Sequence, residues 1–335
     1  MAKPEMVEEV VPDIFRMEIP LPRNPLRAIN SYVVRGRDRF LMIDTGMNRP
    51  ECLDVMRASL KALAVDLGRT DFFVTHCHSD HVGLVSALKT GPSKVFLNPA
   101  DAALILNPNL WAEMADAAHT HGFPDPDTAI EKHPGRRYLF SGHPEFTYLR
   151  EGDILPIGHY VFRCVETPGH TPGHLCLYES EARILFSGDH ILDTITPNIS
   201  GWGREADPLG EFLESLDKIA AYDIKVILPG HRNLILDHRR RIGELKEHHR
   251  VRMQEVVDIL ARERQTAYQI ASRMTWNIDC ARWEEFPVPQ KWFATGEALA
   301  HLLHLERTGR IKKSQGEGKA YFSLSLGAGG DSTLR

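Results

Sequence analysis

Thr75-His76-Cys77-His78-Ser79-Asp80-His81-Val82-Gly83 follows directly on the apolar run Phe72-Phe73-Val74. Three histidines and an aspartate fall within six positions of one another. A surface turn before a helix tolerates such residues but has no use for so many; a metal site needs them. In an extended segment, residues two apart point the same way, so His76 and His78 project together and Cys77 points away. Asp80 and His81 stand where the loop turns into a helix. Neutral imidazoles and a carboxylate suit a borderline metal such as zinc, and this one loop carries enough donors for parts of two sites.

Outward from that loop, short apolar runs end in polar residues. Phe40-Leu41-Met42-Ile43 ends in Asp44, Val165-Glu166-Thr167-Pro168-Gly169 in His170, Ile184-Leu185-Phe186-Ser187-Gly188 in Asp189, and Val226-Ile227-Leu228-Pro229-Gly230 in His231. In α/β folds functional groups gather beyond strand ends, so these stations converge on one site. Strands are expected near 14–19, 31–34, 40–43, 71–75, 94–98, 160–167, 174–178, 183–187 and 225–228, and helices over 50–66, 82–89, 110–119 and 208–220. Strands alternating with helices give an α/β core. Residues 99–150, with a proline-bearing loop at 124–144, read as an insertion and a lid over a pocket. Its Leu110, Trp111, Met114 and Phe123 suit a small, partly apolar acyl group. Beyond 235 the chain becomes a charged helix (236–263), a capped short helix opening at Thr266, a helix over 290–308 and a hairpin around Gln315-Gly316-Glu317-Gly318.

The five stations together resemble the metallo-β-lactamase superfamily of metallohydrolases, over residues ~12–235. The resemblance implies an αββα sandwich with a dinuclear site between its sheets. It assigns His76, His78 and His170 to the first metal, Asp80, His81 and His231 to the second, and Asp189 to both, opposite a bridging water or hydroxide. Asp44 would orient ligands by hydrogen bonding, and Asp80 and Asp44 are the carboxylates it places in the catalytic machinery. The metals would be zinc, with iron or manganese as alternatives. The helix-helix-hairpin order of 236–326 resembles the winged-helix-like domain of one branch of that superfamily, the branch containing glyoxalase-II-like hydrolases and an RNA endonuclease. The domain expectation is thus 1–235, then 236–326, then a disordered tail at 327–335.

Departures from the family's branches narrow the activity. Asp189 stands where secreted zinc β-lactamases have cysteine, and the acidic first residues lack an apolar signal region. His78 differs from the glutamate of flavodiiron relatives. Leu192 stands where lactone hydrolases of this family carry tyrosine. The favoured substrates are small acyl esters or thioesters; a single-stranded RNA endonuclease is the rival, and an iron-dependent persulfide dioxygenase a third reading. Arg204, in a glycine-rich stretch like one in glyoxalase II enzymes, and Trp111 are candidate substrate contacts. The neighbouring histidines carry plainer expectations: His174 a hydrogen-bonded core residue, Cys77 a packing residue, His248 and His249 solvent-facing on a charged helix.

Bulk properties agree. The chain has 335 residues, 42% hydrophobic and 25% charged, enough for a substantial core. A net charge of −5 gives no bias toward nucleic acid, and the basic residues Lys312, Lys313 and Lys319 make only a modest patch. The hairpin domain is then a cap over the site's rim or a homodimer contact. No apolar run approaches the ~18 residues of a membrane span. Five scattered cysteines without CxxC spacing suit a reducing cytoplasm.

Overall fold

The computed structural model describes residues 7–139, 142, 145–203, 206–278, 280 and 282–325. The chain divides into two compact units. The first holds the described residues up to 107, with 134–197 and 215–242; the second holds 108–133, 198–214 and those from 243 onward.

The first unit contains two sheets. One is seven-stranded, with β1 (Val7–Val11), β2 (Ile14–Pro20), β3 (Ala28–Arg35), β4 (Phe40–Ile43), β5 (Thr70–Phe73), β6 (Val95–Leu97) and β7 (Thr147–Tyr148) side by side in chain order. β1 to β4 pair antiparallel, and β4 to β7 parallel. The second is five-stranded, built from β8 (Ile154–Ile157), β9 (Tyr160–Glu166), β10 (Leu175–Glu179), β11 (Ile184–Gly188) and β12 (Val226–Pro229), in the order β12-β11-β10-β9-β8. Only β11 and β12 run parallel there.

Alternation along the strands separates two cores. Val33, Met42 and Phe72 pack on Cys52, Met56 and Leu60 of the helix Pro50–Ala62. Their neighbours Tyr32, Val34, Leu41, Ile43 and Phe73 face Phe162, Cys164, Leu175, Leu177 and Phe186 of the other sheet. Continuous apolar strands are what a sheet covered on both faces requires. At the second sheet, Ser215 and Lys218 of the helix Pro208–Ala220 donate to Pro168 O and Glu166 O at the end of β9. The α/β sandwich of mixed sheets implied by the sequence resemblance is the observed architecture.

The second unit has its own core, with Phe123, Trp202, Val256, Ile270, Trp292, Leu299 and Phe322 among its buried members. The capping box is present: Thr266 Oγ1 accepts from Gln269 N (3.3 Å) and Gln269 Oε1 from Thr266 N (2.9 Å), opening the helix Ala267–Ala271. The helix Val288–Arg307 follows, then the hairpin β13 (Ile311–Gly316) and β14 (Lys319–Leu324). Its turn is shorter than the four residues expected: Glu317 and Gly318 alone carry it, both at positive φ (52° and 72°), as a two-residue turn of this twist demands.

Three expectations are corrected. The stretch 120–139 contains two helices, Pro126–Glu131 and Pro134–Arg137, because each proline sits at a helix start, where its missing N–H costs nothing. The single helix expected over 82–89 is two short ones, Ser79–Val82 and Val85–Leu88. His249 is fully buried, because it lies on the inward stripe of the helix His238–Leu260 with Leu245, Arg252 and Val256, and its Nδ1 meets His301 Nε2 at 3.1 Å. Arg204 and the tail beyond 325 lie outside the described residues.

Candidate metal centre

All seven expected ligands belong to the first unit, and each stands where a strand or its following loop ends. His76 and His78 leave β5, and Asp80 and His81 lie in the short helix Ser79–Val82. His170 sits on the β9–β10 loop, Asp189 just after β11, and His231 just after β12. Their donor atoms form three overlapping groups, each within 4.8 Å: His76, His78 and His170; His76, His81 and Asp189; Asp80, His81 and His231.

In the first group His78 Nδ1 lies 3.0 Å from both His76 Nε2 and His170 Nε2, which are 3.2 Å from each other. In the second region Asp189 Oδ1 lies 3.5 Å from His81 Nε2 and from His231 Nε2, and Asp80 Oδ2 lies 3.5 Å from His231 Nε2. Asp189 Oδ2 is 3.7 Å from His170 Nε2, so this carboxylate stands between the groups. A tetrahedral ion with bonds of about 2.0–2.1 Å holds its ligand atoms about 3.3 Å apart. The observed separations bracket that value. His81 Nε2, His231 Nε2 and Asp189 Oδ1 are also buried without a hydrogen-bond partner. An unpaired buried polar atom costs about 1–3 kcal/mol, and three aimed at one point are costly without an ion to share. The donor set therefore fits metal ions.

The rings are oriented from behind. His81 Nδ1 donates to Asp44 Oδ2 (2.7 Å) and His231 Nδ1 to Ala28 O (2.7 Å). Thr75 Oγ1 donates to Asp44 Oδ2 (2.9 Å) and so accepts from His76 Nδ1 (3.0 Å). Each of these rings keeps its proton on Nδ1 and turns the Nε2 lone pair to the site, the usual support for a ligating imidazole. Asp44 Oδ1 accepts from Thr75 N (2.8 Å), tying β4 to the start of the ligand loop. Asn30 of β3 donates through Nδ2 to Pro229 O (3.0 Å) and Arg232 O (2.9 Å), holding the His231 turn against the other sheet. Gly230 cannot carry a side chain: a Cβ there would lie 2.7 Å from Asp189 Oδ1.

The electrostatics follow from burial and charge. Burial, reinforced by repulsion from His81, His78 and His170, pushes His76 well below the ordinary imidazole value, keeping it neutral. Burial would raise Asp189, but His231 and His81 outweigh it and hold the carboxyl well below its ordinary range. Asp80 is lowered to about 2: burial opposes, and the His231 ring prevails. His81 and His231 move up, because Asp44, Asp189 and Asp80 overcome the burial that would lower them. The carboxylates thus call for positive charge at this point, which protons or metal ions supply.

His174 is a buried, hydrogen-bonded residue as expected: Nδ1 pairs with Thr167 Oγ1 (2.8 Å), and Nε2 accepts from Asp189 N (3.1 Å). It fixes the Asp189 backbone. Trp111 lies in the second unit, partly buried, its ring centroid 5.1 Å from that of His133. Asn30, Thr75 and Asp101 were not anticipated. The one signal for Asn30 is a polar residue inside the apolar run of β3.

A family profile described as "Metallo-beta-lactamase superfamily" matches residues 24–231, and one described as "Metallo-beta-lactamase-like, C-terminal domain" matches residues 253–324. The chain is 27% identical over 243 residues to the "Atrochrysone carboxyl ACP thioesterase" of Emericella nidulans, spanning 72% of this chain but only 62% of that longer relative. It is 26% identical over 211 residues to the "Acyl-coenzyme A thioesterase MBLAC2" of Gallus gallus, 61% of this chain and 73% of the relative. The crystal structure of a metallo-beta-lactamase family protein from Thermus thermophilus superposes with a TM-score of 0.80 at 27% identity, covering 95% of this chain and 100% of that one.

Proposed function

Because the chain belongs to the metallo-β-lactamase superfamily, we propose that it is a hydrolase that cleaves acyl thioesters with two metal ions, His76, His78 and His170 holding the first and Asp80, His81 and His231 the second. Asp189 serves both. The observation that carries this reading is the set of buried, unpartnered donor atoms on His81, His231 and Asp189. Nitrogen and oxygen donors without thiolate favour zinc, with iron or manganese as alternatives. Metal ions held by these residues would supply a hydroxide nucleophile near neutral pH and a Lewis acid for a substrate carbonyl. The protein's own part is orientation: Asp44, Thr75 and Ala28 O hold the protons on the far side of the rings, and His174 and Asn30 hold the loops that present Asp189 and His231.

The thioester bond is the element taken from the relatives, two of which are named thioesterases, one for a carrier-protein substrate and one for acyl-coenzyme A. The net charge of −5 argues in the same direction, because a nuclease must neutralise several phosphates and its affinity falls steeply with salt. The test is a panel of short acyl-coenzyme A thioesters, aryl esters and single-stranded RNA, with the zinc-loaded protein at two salt concentrations. Thiol release from the thioesters, nearly independent of salt, is the expected result. Metal-dependent RNA cleavage that disappears when Lys312 and Lys313 are neutralised, without thioester turnover, overturns the proposal.

A further inference from the structure

Asp101 lies on the helix Pro99–Leu106 and is completely buried. An acid in a helix's first turn ordinarily serves its own helix. This one does not. The helix start is capped by Asn98, whose Oδ1 accepts from Ala100 N (2.9 Å). Both Asp101 oxygens are directed elsewhere: Oδ2 accepts from Cys77 N (2.8 Å) and Thr171 Oγ1 (2.8 Å), and Oδ1 from Gly173 N (2.7 Å).

The sequence positions of those partners give the carboxylate its meaning. Cys77 stands between His76 and His78, and Thr171 follows His170. One side chain therefore binds a residue adjacent to each of the three histidines of the first group, and none of these hydrogen-bond partners adjoins His231. Gly173 lets the loop come this close: a Cβ there would lie 2.6 Å from Asp101 N and 2.8 Å from its Oδ1. A neutral acceptor in place of the carboxylate would weaken the junction, since hydrogen bonds to an ionised acceptor are the stronger kind.

We propose that Asp101 is a positioning residue that locks the loop bearing His76 and His78 to the loop bearing His170, and so sets the metal affinity of that three-histidine site alone. This rests on the three-histidine group being a metal site. Asp101→Asn keeps the shape, but its amide nitrogen must face one of three N–H or O–H donors. Thr171→Val removes one donor and leaves the carboxylate in place.

The experiment measures Co2+ binding by chelator competition and by electronic absorption, in two backgrounds. His231→Ala retains the three-histidine group; His170→Ala retains the Asp80–His81 side. Asp101→Asn is expected to weaken Co2+ binding about 10–100-fold in the first background, the range for residues that orient ligands, and to leave the second within about threefold. The Co2+ absorption of the three-histidine site should shift as well. Thr171→Val should give a smaller loss, about 3–10-fold, confined to the same site. Should Asp101→Asn fail to fold, the Thr171→Val result decides. Equal losses in both backgrounds mean a merely structural role and overturn the proposal; so does the absence of any loss. If the unsubstituted protein binds no Co2+, the metal reading itself falls and takes the clamp with it.

Discussion

Asp44→Asn is the sharpest probe of how the histidines are held. Asp44 has φ of 55°, a left-handed conformation that asparagine tolerates well, so the substitution leaves the backbone unstrained. What changes is one acceptor. If the amide oxygen keeps the bond from Thr75 N, the amide nitrogen replaces Oδ2 and points hydrogens at His81 Nδ1 and Thr75 Oγ1. His81 must then hold its proton on Nε2, and the lone pair facing Asp189 is lost. If the amide flips, its nitrogen opposes Thr75 N–H at 2.8 Å, two donors face to face. Neither orientation satisfies the network. Loss of such an outer partner lowers metal affinity or activity about 10–100-fold, which is about 1.4–2.7 kcal/mol. Chelator-competition titration with zinc, and kcat/KM on an acyl thioester, are the measurements. Unchanged zinc affinity and kcat/KM in a folded Asp44→Asn protein would refute the tautomer argument.

Asp189→Ala removes a carboxylate that faces both donor groups, so bound metal should fall at both sites, whereas His170→Ala should reduce it at the first only; elemental analysis with Co2+ titration separates the two patterns. The second unit should be acid-labile while it is still metal-independent. Burial lowers His121 to about 4 and His301 to about 3, so both are neutral in the fold and take up protons more readily when unfolded. Their stability contribution is complete above the unfolded imidazole value near 6.5 and is lost as the pH falls from there through about 4 to about 3. Protonating His121 in place costs about 3 kcal/mol, at about 1.4 kcal/mol per tenfold. All five tryptophans (111, 202, 276, 283 and 292) belong to this unit, so their fluorescence reports it selectively. A tryptophan signal flat from pH 7 to 3.5 would contradict the expectation.

The clustered donor residues were readable in the sequence because metal donors are local in two senses. Four sit in one loop, and the others close apolar runs at strand ends, where position alone says which way a side chain points. The supporting residues were not readable for the opposite reason. Asn30 acts on Pro229, 199 positions away, and Asp101 on Thr171, 70 positions away. In isolation Asn30 is a polar residue in a strand and Asp101 a first-turn helix acid. His249 failed differently. Its helix buries Ile242, Leu245, His249, Arg252, Val256 and Leu260 at spacings of three and four, but two of these six are polar, so the stripe does not register as apolar. Partners from elsewhere in the unit meet them, His301 for His249 and Thr275 O for Arg252, which also pairs with Glu255 on its own helix.

The two donor groups also differ in how firmly they are built. His81 and His231 are fully buried, and each has its Nδ1 proton fixed at 2.7 Å by an oxygen of the first sheet. His78 is exposed and faces the group through Nδ1 instead of Nε2. A ring turned this way cannot use the Nδ1 bond that anchors the others. Its placement falls to the backbone of its own loop, and that backbone is fastened through Cys77 N to Asp101. The second group is thus held through its side chains, whereas in the first His76 has such a bond to Thr75 and His78 relies on its loop. This difference is why removal of Asp44 and removal of Asp101 should leave different marks on metal binding, though both residues are buried carboxylates.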